Sequence, residues 1–150
     1  MSKLLKISIA ILCFIILLFL VPYLIAVYDS QQIKVFMGGK EFLVSVADTN
    51  AERTKGLSGT SQIKDNEGML FVFPEKGSYG FWMKDMLYNL DIIWIDENLH
   101  ITHIEKSLSP DSYPKVFYPT KPSLYVLEVL AGQSENLKLI IGDSLIFSKK

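Results

Sequence analysis

The first apolar run carries no charge. Ile7 to Val27 is interrupted only by Ser8, Pro22 and Tyr23, and it follows Lys3 and Lys6. At 1.5 Å per residue, a helix of about 21 residues spans roughly 31 Å, the thickness of a bilayer's hydrocarbon core. A cleaved secretory signal has a shorter apolar core and ends in a small-x-small site. Here LIA, just before Val27, supplies only one small residue at that spacing. The pattern therefore predicts an uncleaved signal anchor over residues 1–28, in contact with lipid through Ile7–Val27. It crosses the cytoplasmic (inner) membrane once. Lys3 and Lys6 hold the N-terminus inside, so the remainder faces the periplasm or the exterior. Residues 29–32 read as a polar linker and residues 33–150 as an extracytoplasmic domain.

Beyond the linker the period changes to two. IKVFM and EFLVSVA alternate around GGK, which predicts a β-hairpin with a glycine turn. The later runs MLFVF, YGFWM, LDIIWID and LHITHIEKS are too short for helices and are punctuated by Pro74, Gly77 and Gly80, so they read as strands. Further strands end at Leu130 and follow the Gly142-Asp143 turn. Thr49 and Glu52 form a capping-box pattern, predicting a short helix from Asn50 to Gly56 or Gly59. A second helical turn is expected over Ser134 to Leu137. Four prolines between Leu108 and Pro122, interleaved with Tyr113, Phe117 and Tyr118, predict a long loop that either binds something or is pinned to the barrel. The expected fold class is mainly β (α+β): a compact β-barrel-like domain of seven or eight strands with one or two short helices.

Composition narrows the function classes. The net charge of -1 becomes more acidic once Lys3 and Lys6 are set aside, and no basic run exists. Nucleic acid is therefore not an expected partner. Cys13, the only cysteine, lies in the apolar run, so the domain has no disulfide, thiolate cluster or cysteine nucleophile. His100 and His103 fall on opposite faces of their strand, and Met69, Met83 and Met86 read as core filling. No metal and no cofactor are expected.

The candidate chemistry lies in four separated blocks. Arg53 is the only arginine, and its guanidinium offers a bidentate fork that lysine lacks. Asp91 interrupts LDIIWI, where a charge needs a partner or a purpose. With Lys84 and Glu128, these residues form either a buried salt-bridge network or a polar pocket floor. One functional reading is a non-enzymatic module that binds a small ligand or an envelope partner. Its cleft is walled by Phe81, Trp82, Met83 and Tyr118 and lined by Arg53, Lys84, Asp91 and Glu128. The alternative is a small hydrolase or lyase with Asp91 or Glu128 as general acid/base and Lys84 as electrostatic stabiliser. No nucleophile elbow or triad histidine supports that alternative.

The blocks ADTNAERTKGLSG, GMLFVFPEKGSYGFWMKDMLYNLDIIWID, YVLEVLAG and IIGDSLIF, in this order, resemble the bacterial and archaeal proteins of the "domain of unknown function 192" family over Lys34 to Phe147. The resemblance implies a compact β-rich domain, often secreted or membrane-anchored, without an established activity. Asp85 and Met86 stand where the family usually has asparagine and threonine, Asn89 where proline is common, and Ser58 and Thr60 where methionine and arginine are commoner.

Overall fold

The computed structural model describes residues 3–30 and 32–148, with side chains over residues 7–22 and 32–147. It falls into two units, Met1–Gln32 and Ile33–Lys150. The first is helix α1, Lys3–Ser30, with Pro22 inside it and apolar side chains on every face. The expected linker from residue 29 is helical through Ser30, and Gln31 lies outside the described residues. Among the described residues, no helix is long and apolar enough to cross a membrane.

The second unit is one sheet of seven strands. These are β1 (Gln32–Met37), β2 (Lys40–Ala47), β3 (Glu67–Gly77), β4 (Leu90–Ile95), β5 (Ile101–Leu108), β6 (Ser123–Leu130) and β7 (Ile146–Ser148), in the order β5-β4-β6-β3-β2-β1-β7. Helices α2 (Asn50–Lys55) and α3 (Gln133–Asn136) are short. The β1–β2 hairpin turns at Gly38 and Gly39, both at positive φ, which a two-residue turn matched to strand twist requires. Among the described residues only β2 and β3 pair in parallel, with α2 in their crossover. The sheet curls into a half-barrel. Residues 140–145 tie its ends together: Ile101 N–H donates to the Asp143 carbonyl (2.8 Å) and Leu145 N–H to that of Leu99 (2.9 Å).

Pairing register sorts the side chains onto two faces. Val44, Leu70, Ile93, Ile95, Leu127 and Val129 fill the concave core. Phe71, Met83, Met86, Ile92, Trp94 and Val126 form a second cluster on the other face. Because β4 is buried on both faces along its whole length, it reads as a nearly continuous apolar run.

Two expectations change. YGFWM is not a strand; only Phe81 bridges, to Phe117. At Gly80 an added Cβ would lie 2.6 Å from both Tyr118 and Val116, so chain crossing replaces pairing there. The segment then turns at Asp85, where φ is 55°. Asparagine and aspartate enter this left-handed region more readily than other residues, so backbone geometry alone accounts for either residue at this position. The turn brings Met83 and Met86 into one cluster.

Asp91 is held by the backbone rather than by a cation. Its Oδ1 accepts from the N–H groups of Ser107 (2.8 Å) and Gly132 (3.2 Å), and its Oδ2 from that of Ser134 (2.8 Å). Ser107 belongs to a bulge in which Lys106 and Ser107 oppose Asp91 alone, since Leu90 pairs with Leu108 and Ile92 with Glu105. Gly132 and Ser134 lie at the start of α3, which has no side-chain cap of its own. One buried carboxylate thus satisfies amides at a strand bulge and at a helix start. Asp91→Asn, which replaces one acceptor oxygen by a donor, is expected to destabilise the domain by about 2–4 kcal/mol. At that cost the melting temperature falls by roughly 10 °C; an unchanged melt of the full chain would contradict this role.

Candidate functional site

The site begins at the N-terminus of α2. The Thr49 hydroxyl accepts from Glu52 N–H (3.2 Å), and Glu52 Oε2 accepts from Thr49 N–H (3.0 Å), completing the expected capping box. Hydrogen bonds from Thr49 hold the Glu52 carboxyl below the usual range. This fixed first turn sets the position of Arg53. The Arg53 guanidinium donates through Nη1 to the carbonyls of Val72 (2.7 Å) and Asp48, and through Nη2 to Asn50 Oδ1 (2.6 Å). It also lies over the Phe73 ring, 5.3 Å from the centroid. No carboxylate among the described residues pairs with it, so a rigidly held cation keeps its charge available.

The wall is aromatic. Phe73 stacks on Tyr79 with centroids 3.5 Å apart, and Phe81 meets Phe71 (4.8 Å) and Trp94 (5.8 Å) edge-on. The Trp94 indole N–H donates to the Tyr79 carbonyl (3.0 Å), anchoring the irregular segment to the sheet. Trp82 is 47% exposed at the rim. These groups enclose a cleft of about 320 Å³, with Arg53 and Lys55 among its lining and Glu128 as its only acid. That volume lies at the small end of ligand pockets.

Glu128 comes from β6, opposite Met69 on β3 and Ile92 on β4. It is only 5% exposed, and its Oε2 has no hydrogen-bond partner among the described residues. Burial pushes its carboxyl up to about 8, so it is a neutral acid at pH 7. Nearby, the Tyr88 hydroxyl shares a 2.7 Å hydrogen bond with Thr60. Burial is the main cause of its raised pKa, the Thr60 bond opposes the rise, and the Glu128 charge adds to it.

The structure divides the residues proposed from sequence. Arg53, Phe81, Trp82 and Glu128 line the cleft. Met83 is buried in the adjacent core. Lys84 is exposed and outside the lining; only its carbonyl is engaged, accepting from Ser58 Oγ (2.9 Å). Tyr118, 57% exposed, packs against Gly80 rather than lining the cleft. Asp91 is opposite Val129, one residue out of step with Glu128, so the two carboxylates point to opposite faces of the sheet. The four-residue constellation is therefore not a single cluster, and Asp91 and Glu128 cannot act together as an acid/base pair. Sequence reasoning missed Asn50, Lys55, Phe71, Phe73 and Tyr79; the capping box beside Arg53 was the one signal pointing to the first two.

The family's sequence pattern, described as "Uncharacterized ACR", matches residues 33–147. This chain belongs to the domain of unknown function 192 family. Solved structures resemble this domain, among them the following two. A protein of unknown function from Novosphingobium aromaticivorans DSM 12444 is 28% identical, with a TM-score of 0.71, over 77% of this chain and 83% of its own. A protein described as a putative transcription regulator, from Sinorhizobium meliloti 1021, is 27% identical, with a TM-score of 0.72, over 79% of this chain and 94% of its own. No curated protein matches.

Because the Glu128 carboxyl is raised in the folded state, the unfolded chain loses this proton first. Its contribution to stability is therefore complete below pH 4.5 and is lost as pH rises towards about 8. Glu128→Gln, which cannot titrate, is expected to gain on the wild type across that window by roughly 5 kcal/mol and to level off above it. Melting curves from pH 4.5 to 9 check this; a constant difference between the two proteins would contradict it.

Proposed function

We propose that this domain of unknown function 192 is a non-enzymatic binding module that holds a small organic anion with an apolar or aromatic body. The carrying observation is Arg53: three hydrogen bonds to fixed oxygens orient it at the cleft, and no carboxylate among the described residues neutralises it. An arginine fixed before binding loses little further side-chain entropy when it meets a carboxylate. Phe73, Tyr79, Phe81 and Trp82 supply the apolar contact surface. The reaction-based alternative would have to use Glu128 as general acid without Asp91, and the lining offers no activated nucleophile to accompany it.

In the same proposal, α1 is the membrane anchor. Its backbone runs for 28 residues, about 42 Å at 1.5 Å per residue, and large apolar side chains such as Phe14, Leu18 and Phe19 are exposed along it. Lys3 and Lys6 orient it with the N-terminus in the cytoplasm. The domain then displays its cleft on the periplasmic or extracellular side, within reach of envelope ligands. We propose no nucleic-acid partner, since the domain carries no basic stripe.

The full chain is expected to stay with membranes through an alkaline carbonate wash; release into the supernatant would overturn the anchor. Titration with substituted benzoates, followed by tryptophan fluorescence, is expected to show binding that weakens at least tenfold in Arg53→Gln. Failure of all such carboxylates at millimolar concentration, or equal binding by the variant, would overturn the anion-binding reading.

A further inference from the structure

Glu128 presents a contradiction that the aromatic wall and Arg53 leave unresolved. A carboxyl buried among Met69, Ile92 and neighbouring apolar groups costs free energy unless something hydrogen-bonds to it. Asp91, one residue out of step across β4 and β6, shows how this chain satisfies a buried carboxylate, with three amides. Glu128 Oε2 has no such partner among the described residues, and Glu128 lies in the lining of the cleft. Glu128 keeps a small exposure and lies in the lining of the cleft, so a group that fills the cleft is placed to hydrogen-bond its carboxyl.

The charged and titratable groups around it decide what that partner is. From α2 come Arg53 and Lys55, both cationic; from the segment after β3 comes Tyr79; from the approach to β4 comes Tyr88, whose hydroxyl is engaged by Thr60; β3 and β4 contribute no charge at this position. Arg53 and Lys55 favour an anionic ligand, and an anion beside Glu128 favours its neutral form. A neutral carboxylic acid both donates and accepts a hydrogen bond. An ammonium group at the inner end would instead require Glu128 to ionise, and the cationic rim disfavours a positively charged guest.

We propose that Glu128, as a neutral carboxylic acid, recognises the inner end of the ligand, so that the cleft takes a small organic acid with a hydroxyl or carbonyl group opposite its carboxylate. This rests on the anion-binding reading of the same cleft. The ligand's carboxylate meets Arg53, its body lies along the aromatic wall, and its far oxygen exchanges hydrogen bonds with Glu128. Loss of the Glu128 proton removes the donor and places two negative charges in one cleft, so binding weakens as pH rises. Burial holds that loss near pH 8 in the free protein.

The test compares 4-(hydroxymethyl)benzoate with 4-ethylbenzoate, which has nearly the same shape and lacks the hydroxyl. Affinities are measured by calorimetry on the full chain in detergent between pH 6.5 and 9.5. The expected result is about tenfold tighter binding of the hydroxyl compound at pH 6.5, an advantage that disappears by pH 9.5. Glu128→Gln keeps a donor and an acceptor without titrating, and should retain the advantage at both pH values. Glu128→Leu should bind the two acids equally. Both substitutions remove a buried ionisable group, and thermal melts confirm that the variants fold. Equal affinities of the wild type for the two acids, or an advantage that persists unchanged at pH 9.5, would overturn the role of Glu128 while leaving the anion cleft intact. Binding of neither acid at pH 6.5 would overturn both.

Discussion

Three backbone amides converging on Asp91 hold the rest of the domain in place. A strand bulge at Ser107 and the start of α3 at Gly132 and Ser134 each expose N–H groups that their own segments cannot satisfy. A buried amide without an acceptor costs about as much as a lost hydrogen bond. Asp91 supplies acceptors for all three from strand β4, which is buried along its entire length. Cross-chain geometry is thereby fixed on one face of the sheet, and the register that follows carries Glu128 to the other.

The two buried carboxylates therefore have opposite consequences. Asp91 is saturated by permanent donors and contributes stability. Glu128 lacks a partner for Oε2 among the described residues, and burial pushes its carboxyl up to about 8; shifts of this kind cluster at functional sites. Arg53 completes the contrast. Its hydrogen bonds among the described residues all go to uncharged oxygens, so it is immobilised without being neutralised. A fixed cation, a stacked aromatic wall and a neutral acid define a polarity gradient across the cleft, and that gradient underlies the functional proposal.

Much of this was legible in the sequence, within limits set by which signals are local. The capping box at Thr49 and Glu52, the Gly38-Gly39 hairpin and the alternation in most strands depend on near neighbours, and the structure contains them. Seven strands and two short helices on one curled sheet agree with the coarse expectation of a β-rich, barrel-like domain. The strand expected at YGFWM failed because Tyr118 and Val116, more than thirty positions downstream, occupy the space beside Gly80. The amide partners of Asp91 were not foreseen, because backbone amides leave no mark on the sequence. Whether Asp91 and Glu128 share a face is set by pairing register, which neither strand encodes alone. Phe73 and Tyr79 went unnoticed because the irregular end of β3 around Pro74 brings them together.

The chemistry of the cleft turns on the protonation of Glu128. Carbon-13 NMR of the chain labelled at glutamate side-chain carboxyls, with Glu128 assigned by its absence in Glu128→Gln, reads that state directly. The predicted result is a neutral carboxyl at pH 6.5 that titrates with a midpoint near 8. A midpoint near 4.5, the ordinary value for glutamate, would mean that the carboxylate is solvated or paired, and the cleft would lose its neutral floor.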